Sequence, residues 1–490
     1  MKSSVPELRL RVCNTESPRN DGRYVLYWMT AARRTHASFA LQRAVDWCEA
    51  LGRPLLVFEP IGCRGEWNSD RMHAFALQGM RDQRERLAAA GVGYLPYAEP
   101  AAGAAKPLLK QLFSEACVVV ADDFPCYFLP KMLASGAEFC PVRLEAVDGN
   151  GLLPMRATEV VFPTAYAFRR YLQKELPSHL QHLPKYDPFR NRQIPLWEES
   201  LLSESVTNQA VRDEALFAGT TDALATLPID HSVGPAAFVG GEQAARKTLR
   251  EFLDRRLARY AEHRNDPDDE AASGLSPYLH FGQLGVHEVF AAIVQRETWT
   301  PEKLPERGNG SREGWWQMSP EAESFLDELI TWREIGFNFC SHRSDYDQYS
   351  SLPEWARQTL EEHAGDPRPT LYSRAELEGA ETHDELWNAA QRQLVREGRM
   401  HNYLRMLWGK KVLEWSASPE IAVETLIHLN NKYAVDGRNP NSYSGIFWVF
   451  GRYDRAWGPE RPIYGKIRYM TSENTARKLK VANYLRRYSR

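Results

Sequence analysis

Apolar and polar positions change rhythm along this chain. Over the first 150 residues, short apolar runs alternate with stretches of helical spacing. Residues 23–29 (RYVLYWM) are apolar almost throughout, as in a strand covered on both faces. Residues 54–59 (PLLVFE), 93–97, 117–121 (CVVVA) and 141–146 repeat that pattern. Between them, 38–51, 70–90 and 104–115 space their apolar residues three and four apart, with Ser69 placed as an N-cap and Gly52 as a helix stop. Strand–helix alternation predicts an α/β domain: a doubly wound parallel sheet with helices on both faces, binding ligands at the carboxyl ends of its strands.

From about 165 to 235 the periodicity weakens and prolines scatter, as in a connector. Beyond 236 the spacing is helical over 242–263, 320–339, 385–415 and 421–433. The expected organisation is an α/β domain over 1–165, a connector over 166–235 and a mostly α-helical domain over 236–490.

Composition narrows the function. The 490 residues are 43% hydrophobic and 26% charged, the balance of a globular chain. No apolar run approaches the roughly 20 residues of a membrane span, and the first residues lack the core of a signal peptide. A cytoplasmic protein is expected, nucleoid-associated in a bacterium. A net charge of −3 gives no overall attraction for nucleic acid, so any such contact needs a local basic face. Seven cysteines without a CxxC pair predict neither a disulfide framework nor a metal site. No GxGxxG follows the first strand and no Walker A motif occurs, which disfavours an NAD-dependent oxidoreductase. The 14 tryptophans, most of them after residue 310, fit a large aromatic core, stacking on bases or a flat cofactor, or electron hopping.

Five stretches can carry chemistry. In 272–282 (ASGLSPYLHFG), Ser273, Gly274 and Ser276 precede a helix that starts near Pro277; hydroxyls and free N–H groups there can cradle a phosphate, or simply cap the helix. In 325–334 (FLDELITWRE), Glu328 and Trp332 share a helix face, so a carboxylate stands beside an indole, or an acid over a core ring. Trp408 and Trp415 are seven apart, with Trp387 one helix upstream; such a stripe can pass an electron hole or form core. Between them, Asn402, Arg405 and Met406 can line a ligand. Asn430, Asp436, Arg438 and Asn441 crowd a polar stretch that binds heterocycle edges or makes Asx turns. The tail beyond 465 interleaves Lys and Arg with Tyr469, Tyr484 and Tyr488, as in a nucleic-acid contact or a solvated helix face.

Together, and in this order, these stretches resemble the photolyase/cryptochrome family, most closely its class II cyclobutane pyrimidine dimer photolyases. The resemblance is carried by SGLSPYLHFGQ, FLDELITWREIGFNFC, LPEWARQTLEEHAGDPR, ETHDELWNAAQRQLVREGRMHNYLRMLWGKKVLEW, LNNKYAVDGRNPNSYSGIFW and RPIYGKIRYM. It implies light-driven splitting of cyclobutane dimers flipped out of UV-damaged DNA, by a monomer holding non-covalent FAD. A blue-light receptor of the cryptochrome kind is the alternative. It implies FAD contacts at Tyr260, at Ser273, Gly274, Leu275 and Ser276, at Phe325 and Arg333, and at Asn402, Arg405 and Asp436. It sets Met406 and Asn430 beside the flavin, with Asn441 as the alternative amide. Glu328, Trp332 and Trp448 hold the dimer, and Trp387, Trp408 and Trp415 carry electrons. A deazaflavin or other antenna chromophore is implied for the α/β domain, where the stretch after the first strand reads TAARRTHASFAL instead of the acidic, Asn-bearing class II form.

Overall fold

The computed structural model describes residues 3–490. The chain divides into two compact units. One comprises the residues up to Glu159, Glu175–Leu249 and Leu275–Pro301; the other comprises Val160–Lys174, Arg250–Gly274 and Glu302–Arg490.

In the first unit six strands form one sheet: β1 (Leu10–Val12), β2 (Tyr24–Trp28), β3 (Leu55–Ile61), β4 (Gly93–Ala98), β5 (Ala116–Asp122) and β6 (Leu144–Val147). Their order is β1-β6-β5-β2-β3-β4. β2 to β6 run parallel, with Val25 opposite Leu55 on one side and Val118 on the other. The apolar runs of β2 and β5 are continuous because helices cover both faces. Tyr24, Leu26 and Trp28 enter one apolar cluster, and Val25, Tyr27 and Met29 the other. The sixth strand is unannounced by the pattern: β1 is short, lies at the edge and pairs antiparallel with β6. Ser38 caps the Phe39–Leu51 helix through Leu41 N–H, and Gly52 ends it in the left-handed region at φ 62°. Ser69 takes the N-cap position of Asp70–Ala89 without a side-chain cap bond.

The sheet changes winding direction between β2 and β5, where a doubly wound fold opens its ligand crevice. Here several of the chain's own polar groups pair with one another. Asp122 accepts the backbone N–H groups of Thr30, Ala31 and Ala32 at 2.8, 2.8 and 2.9 Å, and the Tyr27 hydroxyl at 2.8 Å. Arg33 pairs with Glu59 at 2.8 Å, and Arg34 donates to the carbonyls of Ala37, Gly149 and Gly282.

The second unit is helical, and the helical runs beyond 236 are more interrupted than the periodicity predicts. The run 242–263 breaks into Glu242–Glu251, a π-turn at Phe252–Arg256, a 3₁₀ turn and Tyr260–His263. The run 320–339 holds a second π-turn, Asp327–Trp332, between Pro320–Leu326 and Arg333–His342. The run 385–415 is two helices, Glu385–Glu397 and Asn402–Trp415, separated because Gly398 turns left-handed at φ 76°. The stretch from 165, read as connector, opens with a helix, Ala165–His179.

Candidate functional site

The Glu328–Trp332 segment begins from a well-marked helix start. Ser319 accepts from Ala322 N–H and Pro320 takes the first turn, where its missing N–H costs nothing. The helix then widens into the π-turn, a form recurrent at functional sites. Arg169 grips Asp327 with two hydrogen bonds of 2.8 and 3.1 Å and fixes the turn from outside. Glu328 pairs with Arg264 at 2.5 Å. Burial pushes the Glu328 carboxyl above its ordinary range, and the Arg264 guanidinium opposes that rise. Arg264 also lies 5.6 Å over the Tyr260 ring. No sequence signal marks Arg264, since its role depends on the fold bringing 264 to 328.

Trp332 stacks on Trp448, with ring centroids 4.7 Å apart and planes 23° from parallel. Both indoles are half-buried, so the pair forms one aromatic wall. The pairing follows from a tight helix crossing. On Arg333–His342, a Cβ added at Gly336 would meet Pro440 O at 2.9 Å and Asn441 Cα at 3.1 Å. Those atoms open the Pro440–Val449 helix, which carries Trp448. On Asn402–Trp415, a Cβ at Gly409 would meet Val449 of that same helix at 2.5 Å. Gly336→Ala is expected to destabilise the protein by about 1–3 kcal/mol through overpacking, despite alanine's better helix propensity. Thermal unfolding checks it; an unchanged or raised Tm would mean that the crossing yields freely.

Phe325 and Tyr260 are buried together with Phe252, at centroid distances of 4.6 Å (Phe252–Phe325) and 5.4 Å (Tyr260–Phe325). Gly274 stands at φ 72°, a conformation that suits glycine, and Ser276 starts the Ser276–His280 helix with Leu275 as its N-cap residue. Arg333 is buried, its guanidinium 4.5 Å over Phe337. Asn402, Arg405 and Met406 lie in the first turns of Asn402–Trp415, Asn402 exposed and the other two half-buried. Arg405 reaches Asp436 at 3.2 Å. Asn430, on the Pro419–Tyr433 helix, is buried, and its amide donates to Asn431 at 3.3 Å. Asn441 is exposed, at the start of Pro440–Val449.

The three tryptophans converge. Trp387 and Trp415 meet edge to face at 5.5 Å, and Trp387 Nε1 donates to the Trp408 carbonyl at 3.0 Å. Trp408 Nε1 donates to Gln391 at 2.9 Å. All three indoles are buried. Next to them, Lys410 is also buried; burial pushes its ammonium down to about 7, and it donates to the carbonyl of Val449, beside Trp448.

Two of the three tyrosines of the basic tail are turned inward. Tyr484 and Tyr488 are buried, bonded to Gln393 and Glu397 at 2.7 Å each, so they anchor the tail to the Glu385–Glu397 helix and present no ring to a base. The exposed basic–aromatic group spans 455–469 and takes in the start of the tail. Arg455 and Arg468 flank Trp457 at 4.9 and 5.2 Å, and Arg461 covers Tyr469 at 4.9 Å. The interleaved spelling RYDRAW…RPIYGKIRYM was the available signal.

Among solved structures, the chain resembles a bacterial class III photolyase from Agrobacterium tumefaciens, with a TM-score of 0.66 at 18% identity over 95% of this chain and 86% of that one. It also resembles a Synechocystis cryptochrome, with a TM-score of 0.65 at 16% identity over 95% and 88%. The fold is thus that of the photolyases and cryptochromes. In sequence it is 34% identical to a deoxyribodipyrimidine photo-lyase of Methanothermobacter thermautotrophicus, over 98% of this chain and 97% of the relative. It is 34% identical to one of Oryza sativa subsp. japonica, over 94% and 86%, and 31% identical to one of Arabidopsis thaliana, over 94% and 88%. No family model matches the chain. The chain belongs to the deoxyribodipyrimidine photo-lyase family.

Proposed function

We propose that this protein is a light-dependent DNA repair enzyme that splits cyclobutane pyrimidine dimers, of the class II kind, with non-covalent FAD. The observation that carries the reading is the Trp332–Trp448 wall beside the Glu328–Arg264 pair. A damaged pair unstacks at less cost than an intact one, and a flipped dimer presents apolar faces and a polar edge. The wall suits the faces. The carboxylate, fixed by Arg264, suits the edge and keeps its strength in a half-buried setting.

The donor set also fits FAD. The Ser273–Ser276 turn offers hydroxyls and backbone N–H groups for a pyrophosphate. Arg405 with Asp436, and the buried Asn430 amide, offer donor and acceptor to a heterocycle edge, with Met406 next to them. Phe325, Tyr260 and Arg333 would complete its walls. When bound, reduced and excited, the flavin supplies the electron that opens the cyclobutane ring and receives it back. The chain's residues hold the dimer, exclude water and steady its polar edge. Trp387, Trp408 and Trp415 serve to restore the reduced cofactor. Arg455, Trp457, Arg461 and Arg468 contact the DNA backbone around the lesion. Among the described residues no helix is long and apolar enough to cross a membrane.

At the carboxyl ends of the sheet the Thr30, Ala31 and Ala32 amides donate to Asp122, so an antenna chromophore there would be held by other groups. We assign no deazaflavin there.

The test is an oligonucleotide with one thymine dimer, incubated with reduced holoenzyme in blue light and in the dark. Restoration of intact thymines in the light alone is expected. Flavin photoreduction without repair would favour the cryptochrome-like alternative.

A further inference from the structure

The tryptophan trio does not end at Trp415. That ring is buried, so solvent reductants do not meet it directly. Tyr372 lies against it edge to face at 5.4 Å and is pinned there by its own backbone, whose N–H donates to the Trp415 carbonyl at 3.1 Å. His383 packs on the same indole at 5.3 Å and stacks on Tyr372 at 5.9 Å. The Tyr372 hydroxyl oxygen lies 2.7 Å from His383 Nδ1 and accepts the His383 backbone N–H at 2.9 Å. Since that backbone N–H already donates to the oxygen, the phenol hydrogen is free to point to Nδ1.

We propose that Tyr372 is the terminal donor of the tryptophan chain and that His383 takes its proton. The inference rests on the reading of Trp387, Trp408 and Trp415 as an electron path from light-excited oxidised flavin. An electron passes from the Tyr372 phenol to the oxidised Trp415 indole. The phenol O–H bond breaks and its proton moves to Nδ1 of neutral His383. The products are reduced Trp415, a neutral tyrosyl radical and an imidazolium. A thiol in solution later returns one electron to Tyr372, and His383 returns the proton.

Two features favour this direction. Losing the proton leaves a neutral radical, whereas a hole kept on Trp415 is a buried cation, which low-polarity surroundings penalise. Lys411 sits 5.5 Å over the Trp415 ring, and its positive charge makes a cation on that ring costlier still. His383 is exposed, so its proton exchanges with water, and Tyr372 is half-buried, within reach of a small reductant.

Several polar and charged groups surround His383 and the Trp415 ring. Tyr372 is its hydrogen-bond partner, and Asp384 is its chain neighbour. Glu473, on the Ser472–Lys478 helix, feels both His383 and Lys411. From the helix of Trp415 come Lys411 and Glu414, themselves paired at 3.0 Å. His383 accepts the proton only while its Nδ1 lone pair is unprotonated.

The experiment is flash photolysis of FAD-loaded protein without added reductant, following tryptophan and tyrosine radicals by absorption and electron paramagnetic resonance. In the wild type the tryptophan radical cation should convert to a neutral tyrosyl radical, and the conversion should slow in D2O. In Tyr372→Phe no tyrosyl radical should form. In His383→Gln, which keeps a hydrogen-bonding side chain without a basic nitrogen, its yield should fall by about tenfold. Tryptophan-radical decay that is identical in wild type, Tyr372→Phe and His383→Gln would overturn the proposal. If no tryptophan radical appears even in the wild type, the tryptophan path has failed as well, and the missing signal separates that result from a failure of Tyr372 alone.

Discussion

Trp332→Ala should weaken binding to a duplex carrying one cyclobutane dimer by about 5- to 150-fold, the equivalent of the ~1–3 kcal/mol that one aromatic stack contributes. Binding to the same duplex without the lesion should change by less than about twofold. The asymmetry follows from geometry. Trp332 and Trp448 form a single wall with centroids 4.7 Å apart. The exposed basic–aromatic group at Arg455, Trp457, Arg461 and Arg468 belongs to a separate stretch of chain. Backbone phosphates are the same in both duplexes, so contacts to them cancel in the comparison. On the proposed reading, only a flipped lesion reaches the indoles. Removing Trp332 costs the stack and also frees Trp448 of its partner. Trp448→Ala should therefore behave alike, and the double variant should lose less than the sum of the two. Titration of both duplexes at one salt concentration decides the matter. Equal losses on damaged and intact DNA would place the defect in the fold and remove the wall from lesion recognition.

The path from sequence to this site was uneven, for physical reasons. β2 and β5 were legible because helices on both faces force apolar residues at every position. The stop at Gly52 is local, so the chain spells it out, whereas the break at Gly398 lies inside one continuous helical spacing and was not read. β1 was not legible: three residues at an edge bury too little to leave a pattern. Nor were the two π-turns, which differ from α-helix by one shifted hydrogen bond and keep the same apolar spacing. Glu328, Trp332 and Trp448 were named from motif resemblance, but their juxtaposition depends on the absence of side chains at Gly336 and Gly409. Arg264, Tyr372 and His383 left no trace because each matters only through a residue far along the chain. The tail was ambiguous for a related reason. Alternating basic and aromatic residues are equally suited to nucleic acid and to a helix docked through its tyrosines, and here Glu397 and Gln393 claim the rings.

The other large effect concerns how the cofactor is kept reduced. Trp408→Phe should lower light-driven flavin reduction, measured with an external thiol present, by about tenfold or more, while chemically reduced enzyme keeps most of its repair rate. Phenylalanine retains most of the buried volume at a site only 2% exposed, so the core stays filled. The bond from Trp387 Nε1 ends on the Trp408 backbone carbonyl and survives the change, so Trp387 keeps its place. What is lost is the oxidisable indole and its bond to Gln391, which leaves a buried amide oxygen without its donor at a cost of about 1–3 kcal/mol. That cost predicts a lower Tm but not a failure of electron flow, so the two readouts separate. A variant with reduced Tm and normal photoreduction would show that holes leave the flavin by another route. A variant with photoreduction lost and repair retained would show that the chain from Trp408 toward Trp415 serves reactivation alone. The dimer-splitting electron would then be confined to the flavin and the Trp332–Trp448 wall.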